Sequence, residues 1–259
     1  MNELSADQID QFVRDGFVQI AEAFPIEIAQ QCRTLLWQAI PCDPQAPATW
    51  TQPVFRIGEM TGEPFQKAAN TPVLHRAFDQ LVGPGRWVPR ASLGSFPIRF
   101  PSQVSAGDTG WHVDASFPGD DPTDYFNWRI NIHSRGRALL MLFLFSDVTE
   151  HDAPTRVRVG SHRDVAKILQ PAGEQGLSFL EVAHQVACLP DHPEALATGQ
   201  AGTVYLLHPF TVHAAQDHHG TEPKFMAQPP LQPHTDWNIF RPAQELYPVE
   251  RAILEVLNA

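Results

Sequence analysis

The run Ala138-Leu139-Leu140-Met141-Leu142-Phe143-Leu144-Phe145 is the longest apolar stretch in the 259-residue chain, and it narrows the possible folds more than any other feature. Its eight residues fall well short of the roughly 20 that cross a bilayer as a helix. A strand with one wet face would alternate apolar and polar residues, and this one does not. It reads as a strand buried on both faces, with structure packed above and below its sheet. The 43% hydrophobic content supplies enough apolar material for such a core. Twenty-four prolines and sixteen glycines cut the rest into short elements, which suits a loop-rich β protein better than a helix bundle.

Upstream of that strand, Ser5-Ala6-Asp7-Gln8 is a capping box and predicts a helix carrying Ile9, Phe12 and Val13 on its apolar face. Gly16 to Ile20 predicts a short strand. Pro25 opens a second helix with Ile28, Cys32, Leu35 and Leu36 on one face. Residues 41–53 read as a proline-rich loop, and a further helix runs from about Asn70 to Leu81. Gly83-Pro84-Gly85 then turns the chain into its β portion. Arg90 to Phe100 shows short apolar alternations, and residues 102–110 form a loop. Pro118 to Asp124, rich in proline and aspartate, is a candidate mobile loop. Tyr125 to His133 alternates, with Asn127, Arg129, Asn131 and His133 on one face and Trp128, Ile130 and Ile132 on the other. Such a polar face either meets water or lines a barrel interior. Thr155 to Val159 and Thr203 to Leu207 predict strands, and residues 163–185 are helical with breaks at Gly173 and Gly176. A last helix starts near Pro248, with Val249, Ala252, Ile253, Val256 and Leu257 at helical spacing.

Helices followed by many short strands predict a mainly β fold with flanking helices, built on a double-stranded β-helix (jelly-roll, cupin-like) core. One domain is expected over residues 1–259. Residues 1–85 are its helical support, 86–240 the jelly-roll core and 241–259 a C-terminal helix. The net charge of −11 argues against nucleic acid as a partner. Cys32, Cys42 and Cys188 are odd in number and widely spaced, so they imply neither a disulfide framework nor a zinc knuckle. No stretch is long and apolar enough for a membrane span, and the N-terminus lacks the basic and apolar regions of a secretory signal. The expectation is a cytoplasmic protein, monomeric or a homodimer.

Chemistry enters at Gly110-Trp111-His112-Val113-Asp114-Ala115-Ser116-Phe117. In an extended segment, side chains two apart share a face, so His112 and Asp114 present an imidazole and a carboxylate together. One further histidine would complete the two-histidine, one-carboxylate set that holds non-heme Fe(II) with open positions. The H-x-D pattern alone is weak in a chain with twelve histidines, because His162/Asp164 and His234/Asp236 share it. His162 follows the turn signal Gly160-Ser161, and Asp164 opens a helical stretch, where it reads as a cap. His234 has no histidine after it. His112 lies in a strand-like segment with its potential partners downstream. Of these, His208 precedes a proline, and His218 and His219 stand in the turn-like Asp217-His218-His219-Gly220. His213 closes the alternation Phe210-Thr211-Val212-His213 and is the favoured third ligand.

These residues resemble the phytanoyl-CoA dioxygenase family of Fe(II)/2-oxoglutarate oxygenases over nearly the whole chain. Asp15-Gly16-Phe17 is similar to the family's opening, and Trp111-His112-Val113-Asp114 matches its metal motif. Thr155-Arg156 through Gly160-Ser161-His162 resembles its N-G-x-T…P-G-S-H stretch, with Asp152-Ala153-Pro154 departing from the first three positions. The resemblance gives His162 a structural role. It implies a small-molecule oxygenase using Fe(II), O2 and 2-oxoglutarate, with His112, Asp114 and His213 on the metal. An arginine about eleven residues past the distal histidine binds the co-substrate's far carboxylate in the family. Here that position is Lys224, which keeps the charge but not the planar bidentate fork. Thr155 is its candidate hydroxyl partner. Related halogenases replace the aspartate with a small residue, so Asp114 implies hydroxylation with release of succinate and CO2. Trp111, Arg129, Asn131 and His133 are candidates to line the substrate space or support the ligands. Two rival readings are a cupin-like Zn(II) or Mn(II) hydrolase or isomerase, and a non-catalytic module that holds a small acid or a partner protein.

Overall fold

The structure, a computed structural model, describes residues 3–239 and 241–257. The N-terminal segment contributes α1 (Ala6–Asp15), β1 (Phe17–Ile20), α2 (Ile26–Gln38), β2 (Val54–Ile57), α3 (Glu63–Ala69) and α4 (Pro72–Leu81). Next come β3 (Phe96–Arg99), β4 (Arg129–Ile130), β5 (Leu139–Leu144), β6 (Arg156–Arg158), α5 (His162–Leu169), β7 (Leu177–Ser178) and α6 (Phe179–Val186). The remainder forms β8 (Glu194–Leu196), β9 (Val204–Leu207), β10 (His213–Ala214), β11 (Met226–Ala227), β12 (Pro230–Leu231) and α7 (Pro248–Leu257). Among the described residues helix outweighs strand, so the expectation of a mainly β chain is corrected to a mixed helix–strand one. The cause is local: most strands are two to four residues long, stopped by the prolines and glycines that interrupt pairing.

All pairing is antiparallel. The larger sheet has the order β1-β9-β5-β11, with β12 also on the far edge of β5. A bridge between Arg99 and Lys224 hangs the antiparallel β2–β3 pair on that edge. A smaller sheet runs β10-β6-β8, and His112 extends it by a bridge to His213. The strand at the centre of the larger sheet is β5, buried at every residue. Its two faces feed two different cores. Leu139, Met141 and Phe143 pack with Phe24, Phe65 and Leu36 from the helical side. Leu140, Leu142 and Leu144 pack with Tyr205, Leu207, Met226 and Val157, the last from the smaller sheet. The two-faced burial expected of the apolar run is therefore met by helices on one side and a second sheet on the other.

The ends of the chain are tied to this frame. Ser5 and Gln8 form the capping box of α1, and Gly16 ends the helix at φ 85°, a conformation glycine adopts without the Cβ penalty. A Cβ there would lie 2.5 Å from His162 Nδ1. The Gly16 carbonyl accepts from the His208 amide at 2.8 Å and the Thr211 hydroxyl at 2.9 Å. Asp15-Gly16-Phe17 thus joins the first helix to the segment carrying His213. At the other end, buried Glu250 of α7 takes Arg86 at 2.7 Å and Arg241 at 2.6 Å.

Tyr125 to His133 is not one strand. Asp124 accepts from the Phe126 amide at 3.0 Å and starts a 3-10 turn over Tyr125–Asn127. Asn131 Oδ1 accepts from the Arg135 amide at 3.1 Å and closes a turn after β4. Asparagine and aspartate thus impose local turns on an alternating pattern. The short elements β2, α3, β8, β11 and β12 carry no signal in the sequence strong enough to announce them.

Candidate metal centre and its cavity

The smaller sheet sets the geometry by its pleat. His213 pairs with Val157, whose side chain faces the core between the sheets, so His213, Val157 and Thr155 point inward. His112 and His213 exchange both backbone hydrogen bonds, each 3.0 Å. Directly opposed residues of a strand pair project side chains to one face, and the two imidazole centroids lie 4.5 Å apart. Two residues on, Asp114 returns to the same side. His112, Asp114 and His213 offer one ligand atom each, all within 4.8 Å of one another.

Hydrogen bonds set which atoms face the gap. His112 Nδ1 lies 2.8 Å from the Gly110 carbonyl and His213 Nδ1 3.0 Å from that of Thr211, two residues back in each case. A carbonyl can only accept, so each Nδ1 carries the proton and each Nε2 presents a lone pair. Those Nε2 atoms stand 3.7 and 3.8 Å from Asp114 Oδ1. The other carboxylate oxygen, Oδ2, accepts from Arg137 Nη1 at 2.8 Å. Burial opposes the Asp114 charge, but Arg137, His213 and His112 outweigh it and hold the carboxyl well below its usual range. Burial, with His112 beside it, brings His213 down to about 4, so it stays neutral at physiological pH. Two imidazole Nε2 atoms and one anionic carboxylate oxygen, with their remaining atoms already satisfied, are a donor set that fits a divalent transition metal. Arg137 is placed by Gly136 (φ 77°), where a Cβ would lie 2.8 Å from the Ser116 carbonyl.

These three residues line a cavity of about 700 Å³. Lys224, Arg99, Arg56, Asp108 and Thr155 form a polar part of its wall. Lys224 shares the inward face with Met226, two residues on, and is fully buried. Its ammonium donates to the Ala153 carbonyl. Burial, and then the charge of Arg99, pulls its pKa down to about 7. Thr155 is buried beside it, with its hydroxyl 3.6 Å from Met226 Sδ. Arg99 Nη2 pairs with Asp108 at 2.6 Å, and Arg56 with the same oxygen. Tyr125, Phe126, Trp128 and Phe179 form an aromatic part of the same wall.

The remaining residues singled out from the sequence lie off this cavity's wall. Trp111, the neighbour of His112, falls on the opposite face of the pleat, between Arg156 and Arg158, each 4.5 Å from its ring centroid. Arg129 donates to the carbonyls of Gln175 and Gly176, both at 2.8 Å. Asn131 is buried on the Glu174 carbonyl at 3.0 Å. His133 sits 3.0 Å from the Trp237 carbonyl. The competing histidines have other duties: His162 and His208 are buried on the carbonyls of Val13 and Val249, and His218 Nδ1 accepts from the Gly220 amide. His234 and Asp236 are exposed. Asp164 binds His192 at 2.8 Å instead of a metal partner. Sequence reasoning missed Arg137, Arg99, Asp108 and the aromatic wall. An arginine or a ring carries no spacing rule that marks it as facing a cavity.

The model of the phytanoyl-CoA dioxygenase (PhyH) family matches residues 12–226. The chain belongs to that family. Membership makes it an enzyme of the non-heme Fe(II)/2-oxoglutarate type. No curated protein matches it by sequence. Among solved structures it is similar to HygX of Streptomyces hygroscopicus, solved with nickel and 2-oxoglutarate bound. The identity is 16% and the TM-score 0.59, over 92% of this chain and 91% of HygX. It is also similar to SnoK, a non-heme α-ketoglutarate-dependent carbocyclase of nogalamycin biosynthesis, at 15% identity and TM-score 0.56, over 87% of this chain and 82% of SnoK. At these identities the two structures speak for the shared fold. No helix among the described residues is long and apolar enough to cross a membrane.

Proposed function

We propose that the protein hydroxylates a small organic molecule, holding Fe(II) on His112, Asp114 and His213 and anchoring 2-oxoglutarate at the Lys224 part of the cavity wall. The carrying observation is the convergence of two histidine Nε2 atoms on Asp114 Oδ1, with every other polar atom of the three pinned by the protein. Fe(II) held there would let O2 act as the oxidant, with 2-oxoglutarate as the co-reductant, so that one oxygen atom enters the substrate C–H and the other enters succinate as CO2 is released. Asp114 occupies the one coordination position that a halide would need, which favours hydroxylation.

The chain's own residues do the rest. The Gly110 and Thr211 carbonyls fix the imidazole tautomers, and Arg137 holds the carboxylate oxygen that faces away from the metal position. Lys224 gives the co-substrate's far carboxylate a charge-assisted hydrogen bond, with the Thr155 hydroxyl beside it. Arg99, across the ladder from Lys224, adds the guanidinium that position 224 lacks.

The two sheets that face each other across Leu140, Leu142, Tyr205 and Val157 support a jelly-roll reading of the core. One apolar cluster containing Leu4, Phe143 and Ile253 supports a single domain. We place the protein in the cytoplasm as a monomer or homodimer, in keeping with its three free cysteines.

The test is succinate release from Fe(II), 2-oxoglutarate and O2, with and without Asp114→Ala. Turnover that disappears in a folded variant is the expected result. A folded, iron-loaded wild type that neither binds nor consumes 2-oxoglutarate would sink the proposal, and oxygen-independent activity with Zn(II) or Mn(II) would favour a hydrolase.

A further inference from the structure

We infer that the aromatic part of the cavity wall, formed by Tyr125, Phe126, Trp128 and Phe179, is a slot for a planar aromatic ring system, so that the substrate carries such a ring next to the carbon oxidised. This rests on the oxygenase reading above and names the substrate class for it.

Four rings build the slot. Phe179, at the start of α6, lies 5.4 Å from Tyr125 and 5.8 Å from Phe126, and Tyr125 lies 5.8 Å from Trp128. Phe179 is also 5.7 Å from the ring of His112, so the slot begins at the metal position. All four line the cavity. Tyr125 keeps 41% and Phe126 55% of its surface open. Large rings left open at the mouth of a site are costly to hydrate and available to a ligand.

Most polar atoms of the wall are already engaged. The Trp128 indole N–H donates to the Pro122 carbonyl at 2.9 Å. The Tyr125 hydroxyl is turned inward to Asp114. Asp114 and Arg137, the charged side chains at this wall, are paired with each other at 2.8 Å. A cationic substrate would need a carboxylate without a partner at this wall. Ser116 Oγ and Arg137 Nε are buried there without a protein partner, so the surface the wall offers a ligand is mainly ring faces and edges. Ring faces without free charge favour another π-system, since offset and edge-on aromatic pairs gain stability beyond area burial.

The experiment uses the full chain loaded with redox-inert Ni(II) and 2-oxoglutarate. Isothermal calorimetry compares 2-naphthol with decahydro-2-naphthol, which has the same carbon count and hydroxyl but no planarity. The expected result is that 2-naphthol binds roughly tenfold tighter. Phe126→Ala removes most of that preference while circular dichroism matches the wild type. Equal affinities for the two alcohols, no binding of 2-naphthol, or an undiminished preference in Phe126→Ala would each overturn the inference. Calorimetry of 2-oxoglutarate on the same Ni(II)-loaded sample separates the two levels. If 2-oxoglutarate binds and the ring preference is missing, only the aromatic slot falls. If 2-oxoglutarate fails to bind, the oxygenase reading falls and takes this inference with it.

Discussion

Glu250 and Lys224 are both ionisable side chains in the interior, and the fold provides for them in opposite ways. Glu250 receives Arg86 and Arg241 on both carboxylate oxygens, and the Tyr247 amide at 3.1 Å as well. Burial works against its charge, but those two guanidiniums outweigh it and hold the carboxyl below the ordinary range. Lys224 has one backbone carbonyl and the cationic Arg99 across the ladder, while Asp108, already shared by Arg99 and Arg56, and the more distant Asp152 pull too weakly to offset its burial. Its pKa moves toward the uncharged form instead. A buried charge with its partners in place is a structural joint. A buried charge missing its counter-ion, in a cavity wall, is where an anion completes the set.

The sharpest way to break this contrast is to remove each group and read both stability and ligand binding. Glu250→Ala strands two partly buried guanidiniums and a helix-start amide, and is expected to cost about 3 kcal/mol in denaturant unfolding. 2-Oxoglutarate affinity should stay close to wild type wherever the variant is folded. A stability loss under about 0.5 kcal/mol, the size expected of a neutral surface change, would show that the joint is decorative. Lys224→Met is expected to do the reverse. It removes a desolvated cation and keeps the side-chain length, so stability should hold or rise. The lost charge-assisted bond should weaken 2-oxoglutarate binding by about 2 kcal/mol, close to thirtyfold. A clear fall in stability with unchanged co-substrate affinity would assign Lys224 to the scaffold.

The same contrast explains what could be read before any coordinates. The apolar run at 138–145 announced the two-sided strand, and the Ser5 capping box announced α1, because each depends only on residues near in sequence. His112, Asp114 and His213 were legible because metal ligation needs particular donor atoms and the pleat has a period of two. The alternation at 125–133 misled, since Asp124 and Asn131 spend their side chains on local turns that outrank periodicity. The strands β11 and β12 were hidden among Pro223, Pro229 and Pro230, and are held by register against β5 instead of by propensity. Arg137 and Arg99 were out of reach for another reason. Their roles come from partners 23 and 9 residues away, and nothing in a linear sequence says which of many arginines turns inward.

The smallest expected effect is also the most specific to the Lys224 side of the comparison. In the free protein its amine titrates at about 7, and a dicarboxylate binds its cationic form. Below pH 7 the proton is already present, so 2-oxoglutarate affinity should be flat. Above pH 7 each binding event must first take up a proton, and affinity should fall by up to about tenfold per pH unit until the pKa of the bound state is reached. His213, at about 4, is neutral across this window and adds no slope of its own. Folding responds with the opposite sign. The unfolded chain, with its lysine near the ordinary 10.5, binds more protons than the folded one between the two values, so stability rises with pH there. Lys224→Arg keeps its charge throughout, which should flatten the binding profile and restore a fork that can bind bidentately. Calorimetric titrations of 2-oxoglutarate into the Ni(II)-loaded protein from pH 6 to 8.5, in buffers of different ionisation enthalpy, would show the proton uptake directly. If the wild type shows no uptake above pH 7, or if Lys224→Arg shows the same slope, the amine is not the group that meets the co-substrate.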